Sequence, residues 1–251
     1  IIKIIKFRYF IQIICKMKQF YLDQDQEIPN QTSDQKQYYN KRCSDFNESP
    51  IGFDKIVFLG DSITEAGEDW NKYFNTQNIV NRGISGDTTE GVLARLSEIC
   101  YYKPLAVFLL IGINDIFNID SPNRDKITPK YIGDNIIHIA DTVLEHSSTN
   151  FFIQTTLPIN NKVYFDEKGW FPNHSVPLPD QINEINTLIK EKGQYKSITI
   201  IDLHSAFVDG NGLLNKTCTP DGVHLNNAGY EKWTEFIRND IRSITEQNQK
   251  G

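Results

Sequence analysis

Residues 105–112 read LAVFLLIG. The apolar residues run without a break until a glycine ends them. An amphipathic helix would repeat its apolar face every three or four residues, and a half-buried strand would alternate. An unbroken run of this length reads as a strand covered on both faces, the habit of a parallel sheet. Four further runs lie either side of it: Lys55–Gly60 (KIVFLG), the weaker Asn78–Gly83 (NIVNRG), Asn150–Pro158 (NFFIQTTLP) and Ser197–His204 (SITIIDLH).

Helical spacing fills the gaps. Val92, Leu93, Leu96 and Ile99 share one face, as do Ile132, Ile136, Ile139, Ala140 and Val143. Ile182, Ile185, Leu188 and Ile189 make a third stripe. Tyr230, Trp233, Ile237, Ile241 and Ile244 make a last one, after Asn226 and Asn227 as candidate caps. Strands alternating with helices imply βαβ units, right-handed crossovers and a three-layer α/β/α sandwich. Ligands of such sheets bind beyond the carboxyl ends of the strands. The residues just after each apolar run are therefore the ones to examine.

The 251 residues suit one domain of ordinary size with a tail to spare. A net charge of −6 provides no basic field, so nucleic acid is not expected as a partner. Cys15, Cys43, Cys100 and Cys218 are scattered, without CxxC or metal-ligand spacing, and do not reveal a redox compartment. Cys100, on a helix face, is expected to be a buried hydrophobe. The first twenty residues are apolar and basic, with Lys3, Lys6, Arg8, Lys16 and Lys18 and no acid. Such a start fits a transit peptide, a signal peptide or a membrane-surface helix, hence an organellar or secretory route. Its charges interrupt it too often for a membrane span. The opposing reading is untidy end sequence with Met17 as the true start and a cytoplasmic protein. Residues 23–50 are rich in Gln, Asn, Asp and Ser and read as a linker that packs no core. The expected division is a poorly ordered extension, 1–50, and a domain, 51–247.

Small polar residues gather at the strand ends. Gly60-Asp61-Ser62 follows the first run, Gly83-Ile84-Ser85-Gly86-Asp87-Thr88 the second and Gly112-Ile113-Asn114-Asp115 the third. Asp221-Gly222-Val223-His224 precedes the last helix. Singly, each has a structural reading: glycines end strands, Ser62 caps a helix, Asn114 makes a turn, His224 sits exposed in a loop. Together they supply the parts of acyl transfer: a nucleophile, a base, a group that orients the base, and donors for an oxyanion.

These residues carry a family resemblance over roughly 54–245. FLGDSIT at 58–64, NRGISGDTTEGVLARL at 81–96, IGIND at 111–115 and DGVHLNNAGY at 221–230 resemble, in order, the blocks of the SGNH/GDSL hydrolase superfamily. The second block is similar to bacterial thioesterase/lysophospholipases and platelet-activating-factor acetylhydrolase subunits. The resemblance implies a flavodoxin-like fold with a five-stranded parallel sheet of order 2-1-3-4-5. It implies Ser62 as nucleophile, His224 as base and Asp221 as its orienting partner. The oxyanion donors it implies are the backbone N–H of Ser62 and of Gly86 and the side chain of Asn114. The activity implied is hydrolysis of a small-molecule ester with a small acyl group, acetyl included, without cofactor or metal. A backbone carbonyl could share the orienting role of Asp221. No GxSxG elbow is present, which disfavours the α/β-hydrolase fold.

Two other classes compete. One is a catalytically idle relative serving as a scaffold in a larger assembly. The other is a flavin- or nucleotide-binding module, against which the absence of a Walker motif and of GxGxxG counts. Among the other histidines, His138 and His146 fall on a polar helix side, His174 in a loop, and His204 at a strand end without a partner. Asp61 and Asp115 are expected to hold local backbone, and Asp87 and Thr88 to begin a helix. The long connection Asn160–Pro179 holds Tyr164, Phe165, Trp170 and Phe171. It reads either as a wall of the acyl or leaving-group pocket or as a cover over the sheet edge.

Overall fold

All five apolar runs form strands of one parallel sheet in the computed structural model, which describes residues 19–21, 27–119, 124–172, 174–194 and 197–248. The strands are β1 (Ile56–Gly60), β2 (Ile79–Gly83), β3 (Ala106–Leu110), β4 (Asn150–Gln154) and β5 (Ile198–Ile201). Their order is β2-β1-β3-β4-β5, as the resemblance implies. The first helices are α1 (Ser33–Glu48), α2 (Ser62–Glu65), α3 (Trp70–Phe74), α4 (Thr89–Leu93) and α5 (Ser97–Tyr102). Then come α6 (Ile113–Phe117), α7 (Pro129–His146), α8 (Asn161–Lys168), α9 (Leu178–Gly193), α10 (Leu203–Phe207) and α11 (Asn227–Asn248). They flank the sheet on both sides in a three-layer α/β/α fold.

Every residue of β1 and of the central β3 is buried, which is why LAVFLLIG shows no alternation. The edge strands β2 and β5 are only partly covered. Phe58, Phe108 and Phe152 lie in register on β1, β3 and β4, their rings stacked with centroids 5.2 and 4.3 Å apart. Trp70 stacks on Phe58 at 4.4 Å, and Trp233 meets Trp70 edge-on at 4.8 Å. Aromatic pairs of this kind contribute about 0.5–1.5 kcal/mol each beyond the area they bury. They fix α3 and α11 against one face. On α7, Thr128 caps the helix, Pro129 begins it, and the stripe Ile132, Ile136, Ile139, Ala140 and Val143 is buried. On α9, Ile182, Ile185 and Ile189 are buried and Leu188 half-buried.

The single helical face expected from Val92 to Ile99 is two short helices. Between them Arg95 turns inward: its Nε donates to Asp87 Oδ2 at 2.8 Å and its Nη2 to Gly60 O at 3.1 Å. Burying a guanidinium demands such partners, and reaching them takes a break at 94–96. Cys100, expected buried, is half-buried.

The reading of 23–50 as a linker that packs no core is corrected over Ser33–Glu48. Tyr39, Cys43 and Phe46, spaced four and three apart, form a narrow buried stripe that packs with Ile28 and Ile84. A capping box closes the helix start: Thr32 Oγ1 accepts from Gln35 N, and Gln35 Oε1 accepts from Thr32 N. The polar average of the segment hides a stripe this thin. Nearby, the fully buried Glu98 accepts from Arg82 at 2.9 and 3.2 Å, from Tyr21 Oη at 2.6 Å and from Ile51 N at 2.7 Å. It ties the start of the domain to β2. The targeting or membrane-surface reading of residues 1–20 lies, but for residues 19 and 20, outside the described residues. No helix of the described residues is long and apolar enough to cross a membrane.

Candidate active site

Ser62 opens α2 directly after β1. Asp61 caps the helix by accepting from Ile63 N at 2.9 Å, so the capping role falls to Asp61 rather than to Ser62. As the first residue of a helix, Ser62 has a backbone N–H with no intrahelical acceptor. Its Oγ lies 3.0 Å from His224 Nε2. His224 Nδ1 lies 2.7 Å from Asp221 Oδ2, while Asp221 Oδ1 accepts the backbone N–H of Val223 and of His224 at 3.0 and 2.8 Å. The carboxylate accepts the hydrogen bond from Nδ1–H and so leaves Nε2 as acceptor toward the serine hydroxyl.

The turn that carries this pair is tightly made. Gly222 has φ +86°, and a Cβ there would stand 2.3 Å from Asn160 O, so only glycine fits. Thr219 is the centre of the turn: its Oγ1 accepts from Gly222 N at 2.8 Å and Asp221 N at 3.3 Å, and donates to His224 O at 2.6 Å. The sequence reading missed Thr219, although a threonine two residues before Asp-Gly is a turn signal. Beyond the turn, Asn226 Oδ1 accepts from Gly229 N at the start of α11. Tyr230 Oη on α11 donates to Ile63 O at 2.8 Å, joining the base-bearing end of the chain to the helix of Ser62.

Gly86 stands at the third position of a turn closed by Asp87 N to Ile84 O at 3.0 Å. Its φ of +80° is what a type II turn requires there. Asn114, second residue of α6, donates Nδ2–H to Asp87 O at 2.9 Å, so the Asn114 side chain and the Gly86 loop are joined. A primary amide has a second N–H, which remains to be offered elsewhere. Asp115 reaches further than local backbone: it accepts from Thr89 N at 3.0 Å and from Thr89 Oγ1 at 2.7 Å. Thr88 caps α4, as expected, while Asp87 pairs with Arg95.

The charges of the site are strongly set by their surroundings. The hydrogen bond to Asp221 raises the imidazole pKa of His224 above its ordinary value, against the effect of burial. Burial disfavours the charged form of Asp221, but the His224 ring and the N–H groups of His224 and Val223 outweigh it and hold the carboxyl well below its usual range. Burial pushes Asp61 up to about 7 and Asp115 up to about 7. Beside the site lies a small, mostly apolar cavity whose lining includes Ile63, Ile113, Leu157, Ile159 and Val223 together with Asp61 and Thr156. These include the neighbours of Ser62, Asn114 and His224.

The other histidines are elsewhere. His138 and His146 are exposed on α7, His174 lies 3.3 Å from Arg124 Nη2, and His204 N donates to Thr155 Oγ1. The connection Asn160–Pro179 contains α8 and adjoins the Asp221–His224 turn through Asn160 and Tyr164. Tyr164 packs edge-on with Phe117, Trp170 and Phe171 at 5.5–5.8 Å. Among the described residues no group of His, Cys, Asp and Glu is arranged to hold a metal ion.

The model of the GDSL-like Lipase/Acylhydrolase family matches residues 58–232. The chain belongs to that family. This GDSL-like acylhydrolase is 24% identical over 200 residues to platelet-activating factor acetylhydrolase IB subunit alpha2 of Rattus norvegicus, covering 76% of the chain and 78% of the relative. Its fold is that of a GDSL-like lipase from Bacteroides thetaiotaomicron, with a TM-score of 0.67 and 22% identity over 83% of this chain and 98% of the other. It is also the fold of a solved acetyl xylan esterase, with a TM-score of 0.59 and 19% identity over 74% and 99%. The protein is thus an ester hydrolase of the GDSL type.

Proposed function

We propose that this acylhydrolase cleaves esters of short acyl groups, acetyl foremost, through Ser62, His224 and Asp221 and a covalent acyl-enzyme. The continuous chain from the Ser62 hydroxyl through both imidazole nitrogens to the Asp221 carboxylate, at 3.0 and 2.7 Å, carries the reading. A serine hydroxyl is a weak nucleophile near neutral pH and needs a base in hydrogen-bond reach. Ser62 Oγ forms a bond to the ester carbonyl carbon as its proton passes to His224 Nε2. The imidazolium so formed is stabilised by Asp221. The carbonyl oxygen gains the negative charge and is met by the N–H groups of Ser62 and Gly86 and the free N–H of Asn114. The tetrahedral intermediate then breaks its bond to the leaving oxygen, which takes the proton from Nε2. Water, deprotonated by His224, attacks the acyl-enzyme by the same route and frees the acid.

Two observations favour a short acyl group. Ile63, Ile113 and Val223, the chain neighbours of Ser62, Asn114 and His224, line a small apolar cavity, which suits a small apolar group. Relatives named as a platelet-activating factor acetylhydrolase and an acetyl xylan esterase point the same way. The aromatic connection at 160–179, set against the Gly222 turn, would form the wall facing the leaving group.

The test is hydrolysis of p-nitrophenyl esters from acetate to octanoate by the wild type and by Ser62→Ala. Wild-type kcat/KM falls with acyl length, Ser62→Ala is inactive, and a fluorophosphonate labels the wild type at Ser62. Turnover in Ser62→Ala would overturn the assignment of the nucleophile, and a preference for octanoate that of the acyl group.

A further inference from the structure

Helix α1 precedes residues 58–232, the part matched by the family model, yet it touches all three elements that surround the proposed oxyanion site. It reaches the nucleophile helix α2 through Glu65: Arg42 Nε pairs with Glu65 Oε1 at 2.7 Å, and Tyr38 Oη donates to the same oxygen at 2.9 Å. The other Glu65 oxygen accepts from Ser85 N at 2.7 Å and from Ser85 Oγ, so the residue before Gly86 is fixed by the same carboxylate. Gln35 lies against Gly86 itself; a Cβ on that glycine would stand 2.8 Å from Gln35 Cγ. The Gln35 amide then pairs in both directions with Asn118, at 2.9 Å each way, at the end of the helix that carries Asn114. Two residues before Thr32, Asn30 adds two more bonds: its carbonyl accepts from Asn118 Nδ2 at 2.9 Å, and its Nδ2 donates to Asp115 O at 3.4 Å.

We infer that α1 belongs to the catalytic machinery as a positioning element, with Gln35 and Arg42 as positioning residues that keep the Ser62 helix, the Gly86 turn and the Asn114 helix in register. The inference rests on the proposed roles of Ser62, Gly86 and Asn114. The Gly86 turn needs such support. It is a short glycine-containing loop at the edge of the sheet, and its N–H can serve an oxyanion only in one peptide orientation. Gln35 and Glu65 brace it from outside the sheet, while Arg95 braces Asp87 from within. None of the α1 residues named reaches the reacting atoms; they act through Glu65, Gly86 and Asn118.

The experiment uses the full-length protein and kcat per active site, with sites counted by fluorophosphonate titration so that misfolded molecules drop out. Gln35→Ala and Arg42→Ala are expected to lower kcat per site about tenfold, since displacements near 1 Å cost up to about 10²-fold. KM stays within about twofold, as befits an interaction made in the transition state. The loss is equal for acetate and butyrate esters. The double variant of Gln35→Ala with Asn118→Ala is less than additive, as members of one network are. Gln37→Ala, on the exposed side of α1, keeps wild-type kcat. A kcat per site unchanged in Gln35→Ala and Arg42→Ala, or a change confined to KM or to one acyl length, overturns the inference while leaving Ser62 in place. Turnover in Ser62→Ala would instead remove the reading on which it rests.

Discussion

Asn114→Ala tests the oxyanion site most directly, because the structure separates the two tasks of that side chain. One N–H of the amide is committed to Asp87 O at 2.9 Å and sets the plane of the group. The other is the proposed oxyanion donor. Truncation removes both. Loss of a preorganised oxyanion donor raises the barrier by about 3 kcal/mol. At about 1.4 kcal/mol per factor of ten, kcat falls more than a hundredfold. The lost bond to Asp87 O, a single neutral hydrogen bond, costs about 1 kcal/mol of folding stability, because Asn114 is half-buried and water can replace part of it. The two effects differ enough to be read apart. Steady-state kinetics with p-nitrophenyl acetate give kcat and KM, and urea unfolding gives the stability change. The expected result is a steep loss of kcat, a nearly constant KM and a small shift of the unfolding midpoint. A kcat within about fivefold of wild type would show that Asn114 serves only to hold the Gly86 loop.

Four further outcomes follow from the geometry. His224 must be neutral to accept the serine proton, and Asp221 raises its pKa, so kcat/KM should rise with pH through an inflection above the ordinary imidazole value. In Asp221→Asn that inflection should move to lower pH while kcat drops by about 10³-fold or more, and a pH–rate profile that keeps its position would count against the Asp221 role. Gly222→Ala places a Cβ 2.3 Å from Asn160 O at φ +86°, so activity and melting temperature should fall together; wild-type thermal melting would refute the strain argument. Glu98→Gln leaves the buried Arg82 without its charge partner and should destabilise the fold by about 3–5 kcal/mol in chemical denaturation, a change below 1 kcal/mol being incompatible with that account.

Much of this is legible in the sequence itself. The apolar runs gave strands because a parallel sheet is covered on both faces, and the pattern is lost only on the edges, as Thr199 of β5 shows by its exposure. Asp221 and His224 could be paired on paper because three residues and a glycine make a turn whose geometry is local. What escaped the sequence depends on partners far along the chain. Arg95 splits a helix to reach Gly60 and Asp87, and no periodicity announces that. Helix α1 looked like a linker because its buried stripe is only Tyr39, Cys43 and Phe46, although Thr32 and Gln35 spelled a capping box at its start. Glu65 reads as an ordinary surface acid until Arg42, Tyr38 and Ser85 converge on it.

The phenol of Tyr230 joins the last helix to the carbonyl beside Ser62. One stiff ring thereby acts as a ruler for the gap between hydroxyl and imidazole. Peeling the final helix from the sheet would lengthen that gap while the strands still held. Esterase activity should therefore vanish at a lower urea concentration than the sheet's circular dichroism, making the enzyme a sensor of its own C-terminal docking.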